Sequence, residues 1–246
     1  MKRLFICLSI SLLALCSYAQ EKVTLFIAGD STAQTYDPSQ TLMRGWGQEI
    51  QQFFDESRVV VENRSIGARS TGTFISEGRW QKILDDLKPG DWVFIQFGHN
   101  DTSPVQQRHV EPDQYKANLM EMCKSVFDKG GHPVILTSIV MRTYKDGVLV
   151  DERNHFAEYI QLARDAAAAV GAPLIDASRL TTELVRSLGD EASAELYYHV
   201  KVGDHPMLKA DKIDDTHLRE KGAATYAKMF ADDAARQGLL IGAAVK

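Results

Sequence analysis

Val23-Thr24-Leu25-Phe26-Ile27-Ala28-Gly29-Asp30-Ser31-Thr32 is the stretch whose reading decides the fold. Its first six residues form a short, nearly continuous apolar run that stops at Gly29. A run of that length without polar alternation reads as a strand buried on both faces, the kind found in parallel sheets covered by helices. The signature recurs at residues 59–62, 92–97, 134–138 and 174–175. Helical spacing fills the intervals: residues 46–54, then 80–87 ended by Lys88-Pro89-Gly90, then 112–127 opened by Pro112 and closed by Gly130-Gly131. It returns at 154–170, near 180–188 and at 220–237. Apolar strands alternating with helices predict an α/β fold, a three-layer αβα sandwich around a five-stranded parallel sheet. Tyr144-Lys145-Asp146-Gly147-Val148 reads as a hairpin with an Asp-Gly turn, inserted after the fourth strand at the rim of the site. No repeat, low-complexity tract or linker interrupts the pattern, so residues 20–246 are expected to form one domain.

The first nineteen residues obey a different logic. Lys2 and Arg3 precede an apolar run at residues 4–15, and Ser17-Tyr18-Ala19 places small residues at a cleavage site. This predicts a secretory signal peptide, residues 1–19, too short for a spanning helix. A lipoprotein signal ending at Cys16 fits less well, because the bulky Leu15 stands just before it. Cleavage removes two positive charges and no negative ones, taking the formal net charge from −5 to −7. So acidic a chain, without Lys/Arg clusters, speaks against a nucleic-acid partner. Cys123 is the one cysteine left after cleavage, which excludes an internal disulfide. It falls in an apolar-periodic stretch, as a buried and inert thiol would. The expected setting is therefore periplasmic or extracellular, in a Gram-negative bacterium, with no membrane insertion once the signal is gone.

In an open parallel sheet the site lies beyond the carboxyl ends of the strands. The segments there are Gly29-Asp30-Ser31-Thr32, residues 63–67, and Gly98-His99-Asn100-Asp101. Ser31, at the first strand-to-helix turn, is a candidate nucleophile, although an isolated serine at such a place more often caps a turn. Gly67, without a side chain, lets its N–H approach a ligand, and Asn100 adds an amide donor. Farther on, Asp214-Asp215-Thr216-His217 sets a carboxylate three residues before a histidine; on one turn the acid can hold Nδ1 and leave Nε2 as a base. Asp215 points away from its neighbour, so only one of the two can serve His217. Glu152 and His155 repeat the spacing at a helix start, where a surface role is the better reading. His99 reads as a residue that lines the pocket or orders its loop, and His205 as a loop residue or a substrate contact. Asp30 and Asp101 are expected to order their loops through backbone N–H groups. Arg69, Arg79 and Arg142 are cations expected near strand ends, each either a surface ion pair or a contact for an acidic substrate. The histidines show no metal-ligand spacing, so neither metal nor other cofactor is expected.

Together the segments resemble the four signature blocks of the SGNH (GDSL-like) hydrolases, in order, over nearly the whole mature chain: Ser31 in Gly-Asp-Ser, then Gly67, then Asn100 in Gly-His-Asn-Asp, then Asp214 and His217 in Asp-x-x-His. The resemblance implies a flavodoxin-like sandwich and a serine esterase. Ser31, His217 and Asp214 would form its triad, and the Ser31 and Gly67 N–H groups with the Asn100 amide its oxyanion hole. Residues 63–70, Glu77-Gly78-Arg79-Trp80, residues 97–101, Arg153-Asn154 and residues 171–176 are similar to the rhamnogalacturonan acetylesterases, carbohydrate esterase family 12. That implies removal of O-acetyl groups from an acetylated polysaccharide or oligosaccharide, pectic rhamnogalacturonan first, with xylan as an alternative. Arg69, Arg79, His99 and Arg142 would be its substrate contacts. Residues 197–211 depart from the pattern and are expected to reshape the groove. A lipase, thioesterase or lysophospholipase of the same superfamily is a second reading, which would need a broad apolar groove. A non-catalytic glycan-binding relative is a third, against which the complete triad argues.

Overall fold

A computed structural model of the protein describes residues 22–150 and 154–246, with the backbone alone at Asn154, His155, Leu240 and Ala243. The expected signal peptide, Glu152 and Arg153 lie outside these residues, as does the His155 side chain. The elements run β1 (Val23–Gly29), β2 (Met43–Arg44), α1 (Trp46–Glu49, continued by one 3-10 turn), β3 (Val59–Asn63), α2 (Thr71–Ser76), α3 (Arg79–Asp86) and β4 (Trp92–Gln96). They continue α4 (Pro112–Asp128), β5 (His132–Leu136), β6 (Tyr144–Lys145), β7 (Val148–Leu149), α5 (Asn154–Val170), β8 (Leu174–Ile175), α6 (Ala177–Ala194), β9 (Tyr197–Val200), β10 (Lys212–Arg219) and α7 (Glu220–Arg236).

The central sheet has the order β3-β1-β4-β5-β8, every pair parallel. Its strands read as continuous apolar runs because both faces are covered. Leu25 and Ile27 of β1, with Trp92 and Phe94 of β4, enter a core shared with Trp46, Tyr226 and Phe230 of α1 and α7. Phe26 and Ala28, with Val93 and Ile95, enter a second core against Trp80, Leu119, Met122 and Ala163 of α3, α4 and α5. Cys123 lies wholly buried in that second core, and burial pushes its thiol up to about 12, too high for a nucleophile. This is the expected αβα sandwich. From β1 the chain winds first to β3 on one side and then to β4 on the other, so a crevice opens between the carboxyl ends of β1 and β4.

The β6–β7 hairpin forms as expected, with Asp146 and Gly147 both at positive φ (49° and 75°) as a tight two-residue turn requires. What the periodicity leaves out is a second, antiparallel sheet of order β2-β10-β9. Tyr197 and Tyr198 of β9 are buried against it. The divergent segment, residues 197–211, is thus β9 and the loop that returns to β10.

Candidate active site

Ser31 does not open a helix. It stands in a single turn after β1, closed by N–H groups of Ala33 and Gln34 on the Asp30 carbonyl, and the chain then runs on to β2. Buried Asp30 shapes the turn: its Oδ1 accepts from the Thr32 N–H (2.9 Å) and hydroxyl (2.8 Å). Below it, Gln96 at the end of β4 accepts from the Thr32 hydroxyl (3.1 Å) and the Trp46 indole N–H (2.8 Å). The serine is therefore carried on a fully packed floor.

Asp214 and His217 come from β10, not from a helical turn. The ladder with β9 pairs Asp214 with Tyr198 but Leu218 with Tyr197, so residues 215–217 are extruded as a bulge. Asp214 Oδ1 holds the bulge by accepting the N–H groups of Thr216 (2.9 Å) and His217 (3.0 Å). Its Oδ2 lies 2.8 Å from His217 Nδ1, and His217 Nε2 lies 2.9 Å from Ser31 Oγ. The bulge has aimed the ring across the crevice at the serine. Burial opposes charge on both partners, yet their mutual attraction and the two backbone donors win: the Asp214 carboxyl falls to about 2 and the His217 imidazole rises above its ordinary value.

Gly67 follows β3 and packs against the serine; a Cβ there would stand 3.4 Å from Ser31 Cβ and 2.8 Å from Gln34 Oε1. The Gly67 N–H donates to that Gln34 oxygen. Asn100 is buried after β4, with Nδ2 donating to the Arg69 carbonyl (3.1 Å) and Oδ1 accepting from Arg108 Nη1 (3.4 Å). Ser31, His217, Gly67 and Asn100 line one open cleft of about 430 Å³, with Gln34, Tyr36, His99 and Arg108 among the other walls. The Tyr36 hydroxyl donates to the Ser31 carbonyl (2.8 Å).

Of the four expected substrate contacts, His99 alone lines the cleft. Its ring is buried, with Nδ1 3.6 Å from Asp30 Oδ2 and a face against Phe156. Burial alone would raise the Asp30 carboxyl, but the His99 ring and the Thr32 donors outweigh it and hold it below its usual range. Asp101 also orders its loop as expected, accepting the Thr71 N–H (2.9 Å) and hydroxyl (2.6 Å) at the start of α2. Burial raises it to about 7. Arg142 is corrected. Its side chain is only 8% exposed and bonds Ser193, Asp190 and Asp215, so it holds α6 and β10 together and does not line the cleft. Arg69 and Arg79 both pair with Glu77 outside the cleft lining, at 3.1 and 2.5 Å. Arg69 also braces the Gly67 carbonyl (3.0 Å). Asp215 does point away from Asp214, but toward His199, with Nε2 at 2.7 Å. His205 bonds the Pro38 carbonyl (3.0 Å), a loop contact. Sequence reasoning missed Gln34, Tyr36 and Arg108. Gln34 was detectable in principle, three residues after the serine on the same turn; an arginine on an exposed loop carries no local signal.

Against known proteins, residues 27–225 match the GDSL-like lipase/acylhydrolase family. The chain is 36% identical over 217 residues to "Probable rhamnogalacturonan acetylesterase YesY" of Bacillus subtilis, covering 87% of this chain and 94% of that one. It is 34% identical over 221 residues to "Rhamnogalacturonan acetylesterase RhgT" of the same organism, at 89% and 93% coverage. Among solved structures, protein YXIM of Bacillus subtilis superposes with a TM-score of 0.75 at 26% identity, over 89% of this chain but 58% of that longer one.

Proposed function

The chain belongs to the GDSL-like lipase/acylhydrolase family and is a carboxylic ester hydrolase, and from that premise we propose that it removes O-acetyl groups from carbohydrate, with pectic rhamnogalacturonan as its preferred substrate. The observation that carries the proposal is the relay Asp214–His217–Ser31, at 2.8 and 2.9 Å, in a cleft whose other walls are largely polar. The two Bacillus relatives, both named as rhamnogalacturonan acetylesterases, support the choice of substrate. A lipase would need an apolar channel for a long acyl chain, and of these walls only Ala68 and Met141 are plainly apolar.

In the proposed mechanism His217 Nε2 takes the Ser31 proton as Oγ attacks the acetyl carbonyl, and Asp214 stabilises the imidazolium that forms. Gly67 N–H, Ser31 N–H and the Asn100 amide receive the developing oxyanion. The Gly67 donor is already engaged by Gln34 Oε1, so the substrate carbonyl displaces the glutamine amide on entry. His217 then passes its proton to the departing sugar hydroxyl and activates water to release acetate. The signal at residues 1–19 sets this activity outside the cytoplasm, and residues 20–246 act as one domain. Among the described residues no helix is long and apolar enough to cross a membrane.

The test is acetate release from acetylated rhamnogalacturonan, acetylated xylan and a series of 4-nitrophenyl esters of rising chain length. The proposal expects the highest kcat/KM on the pectic polymer and almost none on long acyl chains. A preference for xylan would keep the esterase and discard the pectic substrate.

A further inference from the structure

Polymeric rhamnogalacturonan carries galacturonate carboxylates, whereas this protein is acidic overall, so an anionic glycan needs a local cation in the cleft. The strand-end arginines do not supply one there. Arg142 is buried between Asp190 and Asp215, and Arg69 and Arg79 share Glu77 away from the lining. Among the described residues no aspartate or glutamate lines the cleft, and the only Lys or Arg there is Arg108. Among the described residues, no carboxylate lies within ion-pair distance of Arg108. Within the same set its one side-chain hydrogen bond is Nη1 to Asn100 Oδ1, at 3.4 Å.

We propose that Arg108 is the receptor for a uronate carboxylate of the substrate, on the sugar that bears the acetyl group or the one next to it. The assignment rests on the pectic reading above and deepens it. Three features support it. Arg108 has four further N–H donors in a planar fork, the geometry that grips a carboxylate with two hydrogen bonds. Its loop is held in place: Arg108 and His109 N–H groups close a turn on the Val105 carbonyl (2.9 and 3.1 Å), and Val110 N–H returns to Asp101 (3.1 Å). Val110 itself is buried, and its carbonyl accepts from the Tyr159 hydroxyl. Finally, the Asn100 amide joins the two functions. Its oxygen meets Arg108, and its nitrogen is the candidate oxyanion donor, so a carboxylate at the guanidinium lies one amide group from the reacting carbonyl. A sugar ring spans that interval, which ties recognition of the acid to placement of its acetyl ester.

The test uses Arg108→Gln and Arg108→Lys beside wild type, on three substrates: an acetylated galacturonate-containing oligosaccharide, an acetylated xylo-oligosaccharide and 4-nitrophenyl acetate. With Arg108→Gln, kcat/KM on the galacturonate substrate should fall roughly tenfold to a hundredfold, the size of one charge-assisted pair. The two neutral esters should lose only the smaller, shared factor that comes with freeing Asn100 Oδ1. Arg108→Lys should fall between, because it keeps the charge without the fork. Free galacturonate should also inhibit 4-nitrophenyl acetate hydrolysis more tightly than galactose in wild type, and raised salt or Arg108→Gln should abolish the difference. An equal loss on all three substrates would mean that Arg108 acts only by holding Asn100, and would overturn the proposal, as would no loss on any. If wild type hydrolyses the neutral esters but not the galacturonate substrate, the pectic reading fails and the assignment falls with it. Deacetylation of the galacturonate substrate that is indifferent to Arg108→Gln leaves that reading standing and removes Arg108 alone.

Discussion

Asp214 and Asp215 are neighbours at one bulge of β10, and each holds a histidine. Asp214 lies against His217 Nδ1 and two backbone N–H groups, with no Lys or Arg among the described residues paired to it. Its charge is therefore free to stabilise an imidazolium, and the far nitrogen of His217 faces Ser31. Asp215 instead divides one oxygen between His199 Nε2 and Arg142 Nη1, both at 2.7 Å, while its carbonyl accepts the Arg142 N–H. The guanidinium already compensates that carboxylate, and the hydrogen bond of the His199 ring among the described residues is to Asp215 itself. An acid–histidine pair is poised to activate a serine when the acid is left to the imidazole and the hydroxyl stands at the second ring nitrogen. The pair at Asp215 serves as a fastener for the strand that presents the pair at Asp214.

Substitution separates the two regions. His217→Ala should lower kcat by about 10⁵–10⁶-fold and Asp214→Asn by about 10⁴-fold, since the second leaves a misdirected base. Both should fold, as near-native far-UV circular dichroism and a cooperative thermal transition would report. Asn100→Ala removes one proposed oxyanion donor and should cost about 10²–10³-fold in kcat, measured on 4-nitrophenyl acetate. Asp215→Asn should behave in the opposite way to Asp214→Asn. Activity should stay within about tenfold of wild type, while unfolding free energy in urea falls by about 1–3 kcal/mol, because Arg142 loses a charged partner at a half-buried position. An Asp215→Asn variant as inactive as Asp214→Asn would show the two carboxylates acting as one unit, and would break the comparison.

The smallest effect is in the pH profile. His217 must be neutral to accept a proton, and its pKa is raised, so the acid limb of kcat/KM should have its midpoint above the ordinary histidine value of about 6.5. In the residual activity of Asp214→Asn that midpoint should move down, since the carboxylate that favours the cation is gone. Stability follows the same signs. The contribution of His217 is complete below its unfolded pKa and is lost as pH rises through the folded one. That of Asp214, depressed to about 2, is complete above the ordinary aspartate range and is lost as pH falls toward 2.

The central strands were legible because burial on both faces writes an unbroken apolar run, and even two-residue β8 was found from Leu174-Ile175. The antiparallel sheet was not. β10 is largely polar, β2 has two residues, and their pairing depends on contacts distant in sequence. The spacing of Asp214 and His217 was legible, but the bulge that makes it useful was not, since nothing local marks where a ladder slips. Arg142 was misread for a related reason: its acidic partners lie 48 and 73 residues away. Arg108 and Gln34 gain meaning only when three strand ends are brought to one crevice.

The most direct test of the account is Ser31→Ala, assayed for acetate release from acetylated rhamnogalacturonan beside a thermal unfolding scan. The hydroxyl makes its hydrogen bond to His217 at the cleft wall, so its loss should leave the melting temperature close to wild type. Acetate release should fall to the level of the enzyme-free control. A folded Ser31→Ala protein that still releases acetate at near wild-type rate would contradict the assignment of the nucleophile, and with it the mechanism built on the crevice.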